Sequence, residues 1–441
     1  MTEKADHNLT YVFIAGKNWK LSLAEVLSYL RARSCTFSVI NVSKSFFLTE
    51  TQNSLNPAII NDLGGIIKIG RVITSISKNT VTDAFVKRDK QARIEMKLKL
   101  SQYLNIDEIF RNPKEKLVFG VSVYLRGSCL ARFSHEMHRF LGSALKAALK
   151  TRGIRSDFMG FPKQRKLPQL SHVEVLKKGL IENSAEILFC VGESRAFVAS
   201  TIAVHNPFEF QKRDIEKPAQ RKILSIPPRL AKIMVNLASC LPGMVILDPF
   251  CGVGTILQEA MLGGGRVIGL DIDPWCVRAA KKNLEWIRSE YKLDRPTFRV
   301  LRGDSRHLVD CLGKESVDCI VTEPDLGPVL RHPPTESHAR SLVNSLRPLY
   351  EGFMESAYGI IKNGASLVFV TPYFRTRSET FVSLSIDKKA ASLGFEKASI
   401  FTEAFPVEDV PLTKEFGKGG SFIEIDERQL VGREIHVFRK C

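Results

Sequence analysis

Val245-Ile246-Leu247-Asp248-Pro249-Phe250-Cys251-Gly252-Val253-Gly254-Thr255 reads as a buried strand, an acid at the strand's end, a two-glycine loop and a helix over Ile256 to Leu262. This is the layout of the first crossover in a doubly wound, Rossmann-like α/β sheet, where ligands sit at the carboxyl ends of the strands. The dinucleotide fingerprint is excluded, because G-x-G-x-x-G would need a third glycine where Leu257 stands. Asp248 would also repel a pyrophosphate. A carboxylate here fits a ligand with a cationic amine, and the N–H groups at a helix start fit that ligand's carboxylate. S-adenosylmethionine carries both groups on one end.

Two further acids follow in order. Arg266 to Asp271 is a second apolar strand, and Asp271 lies one βα unit on, where a carboxylate accepts from ribose hydroxyls. Asp273 is close enough in sequence to share that role. Cys276 to Trp286 has the spacing of an amphipathic helix, with Val277, Ala280, Leu284 and Ile287 on one face. Thr297 to Leu301 is a third strand, and Asp304 after it is placed to accept from an adenine amine. The expected cofactor site is therefore Asp248, Phe250, Gly252, Gly254, Thr255, Asp271, Ile272, Asp304 and Ser305. A generic nucleotide-binding α/β domain is the plainer alternative.

A chain of 441 residues implies two or three domains. Its 44% hydrophobic and 25% charged residues are those of a globular protein. No apolar run reaches the ~18 residues a membrane span needs, and the polar Met1 to Asn8 gives no expectation of a signal peptide. The nine cysteines are scattered without a CxxC pair, which suits a reducing cytoplasm. His135 and His138 stand at i, i+3 without an evident third ligand, so no metal is expected. A net charge of +17 favours a polyanionic partner, nucleic acid first.

The N-terminal half reads as α+β. Tyr11 to Gly16 is a strand, Asn18 to Leu21 a turn, and Ser22 a cap for a helix from Leu23 to about Arg33. Leu117 to Tyr124 is a strand, His135 to Lys150 a helix, and Ile187 to Gly192 with Ala196 to Val204 a hairpin. Lys150, Arg152, Arg155, Lys163, Arg165 and Lys166 form a basic stretch beside Phe158 and Phe161. They are candidate RNA contacts of the kind that grip phosphates without reading sequence; a solvated charged face is the alternative. His205 to Lys222 reads as a polar connector, and an apolar helix over Leu230 to Leu241 then leads into the glycine loop.

Several segments carry a family resemblance: "YVFIAGKNWKLSLAEV", "LSHVEVLKKGLIENSAEILF", "RDIEKPAQRKILSIPPRLAKIMVNLA", "LDPFCGVGT", "GLDIDP" and "RGDSRHL". The chain resembles the THUMP-containing tRNA guanine-N2 methyltransferases that modify position ten. The resemblance implies a ferredoxin-like domain over 1–110, a THUMP RNA-binding domain over 111–206, a linker over 207–224 and a Rossmann-like methyltransferase domain over 225–441. It further implies S-adenosylmethionine as cofactor, tRNA as partner, a monomer, and the exocyclic N2 of a guanosine as acceptor, while the composition read above gives the expectation of no membrane and a cytoplasmic location. Dependence on a small activating protein partner, and mono- versus dimethylation, stay open.

Asp318 to Thr322 is a fourth strand, followed by Glu323-Pro324-Asp325-Leu326-Gly327. Amino-methyltransferases usually carry Asp/Asn-Pro-Pro-aromatic there. A purine amine is a poor nucleophile, since its lone pair is delocalised into the ring. An acceptor oxygen and the next backbone carbonyl can take its two hydrogens and orient the nitrogen, while the aromatic stacks the flipped base. Here Glu323, Pro324 and Asp325 are the candidate catalytic residues. Glu323 is one methylene longer than Asp, and Leu326 replaces the stacking ring, for which Tyr373 or Phe374 could substitute. These departures keep two alternatives open: a tRNA-binding relative with impaired catalysis, and a methyltransferase acting on another RNA base amine.

Overall fold

The computed structural model describes residues 9–103, 117–161, 165–182, 185–221, 225–294, 297–401 and 421–441. Two compact units divide the chain, Met1–Leu23 with Cys35–Phe208, and Ala24–Ser34 with Glu209–Cys441. The sequence expectations for Met1 to Asn8 and for the boundary at residue 110 lie outside the described residues. Among the described residues no helix is long and apolar enough to cross a membrane.

The N-terminal unit is built on one eight-stranded sheet. Its strands are β1 (Leu9–Ala15), β2 (Phe37–Val42), β3 (Phe46–Thr51), β4 (Ile66–Ser77), β5 (Leu117–Leu125), β6 (Ser156–Phe158), β7 (Glu186–Val191) and β8 (Arg195–Val204). They run in the order β2-β3-β1-β4-β8-β7-β5-β6. The expected hairpin of β7 and β8 is present, and β4 pairs antiparallel with β8 from Lys68↔Val204 to Ser77↔Arg195. The first helix, Trp19–Ala32, starts earlier than the sequence implied. Asn18 supplies the cap, accepting from Leu21 N–H at 3.3 Å. Ser22 lies within the first turn and donates to Asn18 O and Gly65 O, both at 2.9 Å.

A buried charge cluster crosses this sheet. Glu186 on β7 is fully buried and ion-paired with Lys68 on β4. Its two oxygens also accept from Ser122 on β5 and Thr201 on β8, each at 2.7 Å. Lys68 donates further to Leu170 O at 2.7 Å. Each partner thus replaces the water that burial removes, and four strands are tied at one level.

The C-terminal unit holds β9 (Val245–Asp248), β10 (Arg266–Asp271), β11 (Phe298–Arg302), β12 (Val317–Thr322), β13 (Ile361–Arg375), β14 (Phe381–Ser383), β15 (Phe395–Lys397), β16 (Ser421–Glu424) and β17 (Val431–Lys440). The order is β11-β10-β9-β12-β13-β17-β15, with β14 on β13 and β16 on β17. The first five of these are parallel, and β17 returns antiparallel against β13. Parallel strands are covered on both faces, which is why they read as short continuous apolar runs. Strand order reverses between β9 and β12, and that switch opens a crevice at the carboxyl ends of both. Far from the crevice, Asp318 at the start of β12 accepts from Val245 N–H at 2.7 Å and pairs with Lys362 at 2.5 Å, aligning three strands.

The polar connector is partly helical. Helix Pro207–Ile215 occupies much of it, and its Arg213 is buried in an ion pair with Glu259 at 2.6 Å, joined by Lys232 at 3.2 Å. The sequence showed only that the segment is polar, because its partner carboxylate lies 46 residues away.

Removing one side of the Lys68–Glu186 pair strands a buried charge. Glu186→Ala should lose about 3–5 kcal/mol in denaturant unfolding, and Lys68→Met with Glu186→Leu should recover most of it. A single substitution within experimental scatter of the parent would show that the cluster is not structural.

Candidate active site

The crevice is a cavity of about 730 Å³. Of the expected cofactor residues, Asp248, Phe250, Gly252, Thr255, Asp271 and Ile272 line it. Gly254, Asp304 and Ser305 do not. The expected catalytic residues Glu323, Pro324 and Asp325 line it from the β12 side.

Asp248 ends β9 and is only 1% exposed. Thr322 Oγ1 donates to its Oδ1 at 2.6 Å, and Phe250 N–H donates to the same oxygen at 3.1 Å. These two bonds favour the carboxylate, but desolvation outweighs them, with the charges of Asp271 and Glu323 adding to it, and pushes the group up to about 7. Asp271 bridges two loops, accepting from Gly252 N–H at 2.8 Å on one oxygen and from Asp273 N–H at 2.9 Å on the other. Each oxygen keeps a second lone pair. Asp273 lines the cavity too, while its side chain caps helix Pro274–Glu290 through Trp275 N–H at 2.8 Å.

Asp304 is placed differently from the expectation. Its carboxylate is held by the Arg306 guanidinium at 2.6 Å and caps the turn Ser305–His307. The Arg306 partner brings it down to about 2. A neighbour two residues on pairs with the carboxylate that sequence order assigned to an adenine.

Gly254 has φ +87°, and a Cβ added there would lie 3.3 Å from the Cβ of Ala280. Only a glycine lets helix Thr255–Leu262 begin this close to helix Pro274–Glu290. Helix Thr255–Leu262 has no side-chain cap at its N-terminus.

Glu323 follows β12 and forms a two-pronged ion pair with Arg433 on β17, Nε to Oε2 at 2.5 Å and Nη2 to Oε1 at 3.2 Å. Asp325 is exposed, its Oδ1 accepting from Gly327 N–H at 3.0 Å, while its carbonyl accepts from Tyr350 Oη at 3.0 Å. The substitute stackers are corrected by the structure. Phe374 is fully buried in the core, its ring 3.4 Å from the Cβ position of Gly327. Tyr373 stacks on Phe381 with centroids 4.7 Å apart, and neither Tyr373 nor Phe374 lines the cavity.

In the N-terminal unit, Lys150, Arg152, Arg155 and Lys166 are exposed. Arg152 donates to Ser101 O at 3.3 Å, and Arg165 pairs with Glu174 at 2.8 Å above the Phe161 ring. Lys163 lies outside the described residues. Phe158 and Phe161 pack against the core on either side of buried His138 and are not free platforms. Sequence reasoning missed Arg433, and it missed Arg221, Ser225 and Ile226, which line the cavity from the segment around the linker's end. The two prolines beyond Ile226 hinted at a structured approach, but nothing local marked Arg433.

Comparison with known proteins agrees with this geometry. Residues 212–394 match the family described as RMKL-like, methyltransferase domain, and residues 132–282 match one described as DNA methylase. The crystal structure of TrmN from Thermus thermophilus superposes with a TM-score of 0.53 at 16% identity, covering 98% of this chain and all of that one. The C-terminal unit has a methyltransferase fold. In sequence, 150 residues are 37% identical to the tRNA (guanine(10)-N2)-dimethyltransferase of Methanothermobacter thermautotrophicus, and 186 are 32% identical to that of Methanocaldococcus jannaschii. These segments are 34% and 41% of this chain and span 39% and 47% of those relatives, less than half their lengths.

Gly254→Ala should lose about 1–2 kcal/mol in denaturant unfolding, because an L side chain in the left-handed region is strained and here also meets Ala280. Gly252→Ala, at φ +51° with nothing within 4 Å of its Cβ, should lose less. Equal losses would remove Ala280 from the explanation.

Proposed function

We infer that the protein methylates the exocyclic N2 of a guanosine in tRNA, at position ten, using S-adenosylmethionine. The observation that carries this reading is one cavity joining Asp248 and Asp271 to the Glu323-Pro324 motif. The similarity to two tRNA (guanine(10)-N2)-dimethyltransferases supports that acceptor. The N-terminal unit is read as ferredoxin-like (1–110) plus THUMP (111–206), with 207–224 as linker and Lys150, Arg152, Arg155, Lys163, Arg165 and Lys166 as phosphate contacts on tRNA. The excess positive charge supports that assignment.

The residues fit the cofactor by their chemistry. Asp248 is a buried carboxylate with one oxygen that takes neither of its two bonds, so an ammonium would meet an unspent charge. The uncapped first turn of helix Thr255–Leu262 suits a carboxylate. Asp271 retains acceptor capacity for ribose hydroxyls, and Ile272, 65% exposed at the cavity's edge, offers an apolar surface to a purine. When bound, S-adenosylmethionine would supply an electrophilic methyl carried on its sulfonium. Glu323 accepts one amine hydrogen and so turns the nitrogen's lone pair toward that methyl. Buried Leu326 keeps water from that side of the loop.

Incubation with labelled cofactor and unmodified tRNA, followed by digestion, should yield labelled N2-methylguanosine. Glu323→Ala should abolish label while leaving cofactor affinity intact. Another labelled nucleoside, or tRNA binding without label, would overturn the assignment.

Asp248 also gives a pH signature. Its raised value means that below about 7 it must shed a proton before pairing with an ammonium. Calorimetric affinity for S-adenosylhomocysteine should be flat above about pH 7 and fall toward tenfold per unit below it. Asp248→Asn should be weaker and lack the slope. A flat profile in the parent protein would exclude Asp248 as the ammonium's partner.

A further inference from the structure

The motif loop departs from the usual amino-methyltransferase pattern by using a glutamate, and the structure holds a counterpart to that change. Glu323 has one more rotatable bond than aspartate and stands at a cavity wall, where a free side chain would sample several rotamers. Both of its oxygens are instead gripped by one planar guanidinium, at 2.5 and 3.2 Å. The pair is nearly closed to solvent, with side chains 10% and 9% exposed. Arg433 comes from β17, 110 residues later, and is brought to the site by the pairing of β17 with β13, in which it lies opposite Pro372. It lies behind Glu323 and does not line the cavity. Glu424 lies opposite it across β16 and β17, a further negative charge that favours the charged guanidinium.

A carboxylate offers about four lone pairs, and the guanidinium uses two. Acceptor capacity is left on Glu323 for a donor inside the cavity. A fork of two parallel N–H···O bonds fixes both the position and the plane of the carboxylate, which a lysine cannot do.

We propose that Arg433 is a positioning residue that locks the long Glu323 side chain into the one placement from which it can accept a hydrogen from the substrate amine. The proposal rests on the methyltransferase reading above. It explains how a motif with glutamate in place of aspartate or asparagine still presents its acceptor at a defined point: the extra methylene is absorbed by a clamp from a distant strand. Arg433 does not line the cavity and acts through Glu323.

The test measures single-turnover methylation of tRNA, KM for tRNA and affinity for S-adenosylhomocysteine, in the parent protein, Arg433→Ala, Arg433→Lys, Glu323→Gln and the double variant Glu323→Gln with Arg433→Ala. Misplacement by ~1 Å costs on the order of 10²-fold in rate. Arg433→Ala should therefore lose about that factor in turnover, with KM and product affinity little changed. Free guanidinium at a non-denaturing concentration should restore part of the loss in Arg433→Ala and none in Glu323→Gln. Arg433→Lys should fall between parent and Ala. The double variant should be no slower than Glu323→Gln, since residues acting as a unit are not additive. Additive losses, full turnover in Arg433→Ala, or a loss matched by weakened product affinity without rescue would each overturn the proposal; the last marks a merely structural arginine. A parent protein that binds product but methylates no tRNA would overturn the functional reading itself, and the positioning role with it.

Discussion

A carboxylate placed beyond the reach of water must be met by donors or give up its charge, and Asp248 sits at that balance. Two donors reach one of its oxygens, desolvation acts on the whole group, and its protonation stands near neutrality. The bond from Thr322 matters beyond Asp248 itself. It ties the end of β9 to the end of β12, across the switch point where the strand order reverses. The cofactor-side acid and the motif that follows β12 are thereby held against one another at the mouth of the cavity.

The same logic recurs elsewhere in the molecule. Glu186 is buried against Lys68, Ser122 and Thr201, and Glu259 against Arg213 and Lys232. Each case satisfies a carboxylate with partners from other elements, so each fixes how those elements pack. Arg433 with Glu323 differs, because one member of the pair faces a cavity. The guanidinium takes two of the acceptor positions on Glu323, and Glu323 itself lines the cavity.

The loops around the cavity divide between closely bonded and exposed parts. Gly254 lets two helices approach closely, and Asp271 fastens the glycine loop to the loop after β10. Opposite them, Asp325, Pro328 and Val329 are exposed. On the proposed reading, that asymmetry suits a closed cradle for a small ligand on one side and an accessible wall for a flipped base on the other.

Much of this was legible in the order of residues. Strand-end acids, two glycines and an apolar helix are local features, and local features specify βα units; the switch-point cavity and the positions of Asp248, Asp271 and Glu323 in it follow from that pattern. Asp304 shows a limit of residue order: Arg306, within the same turn, pairs with its carboxylate, and the order of residues does not reveal such a competing partner. Phe374 was a candidate stacker by its place in the sequence, but it lies within β13 and only packing shows that its ring is buried against Gly327. Arg433 could not be assigned at all. It reads as one more charged residue on a late strand, and its meaning arises from an antiparallel pairing that brings together positions 110 residues apart. Sequence determined which chemistry the chain can carry; the tertiary structure decided which charges meet, because an ion pair depends on distance in space and the sheet, not the chain, sets that distance.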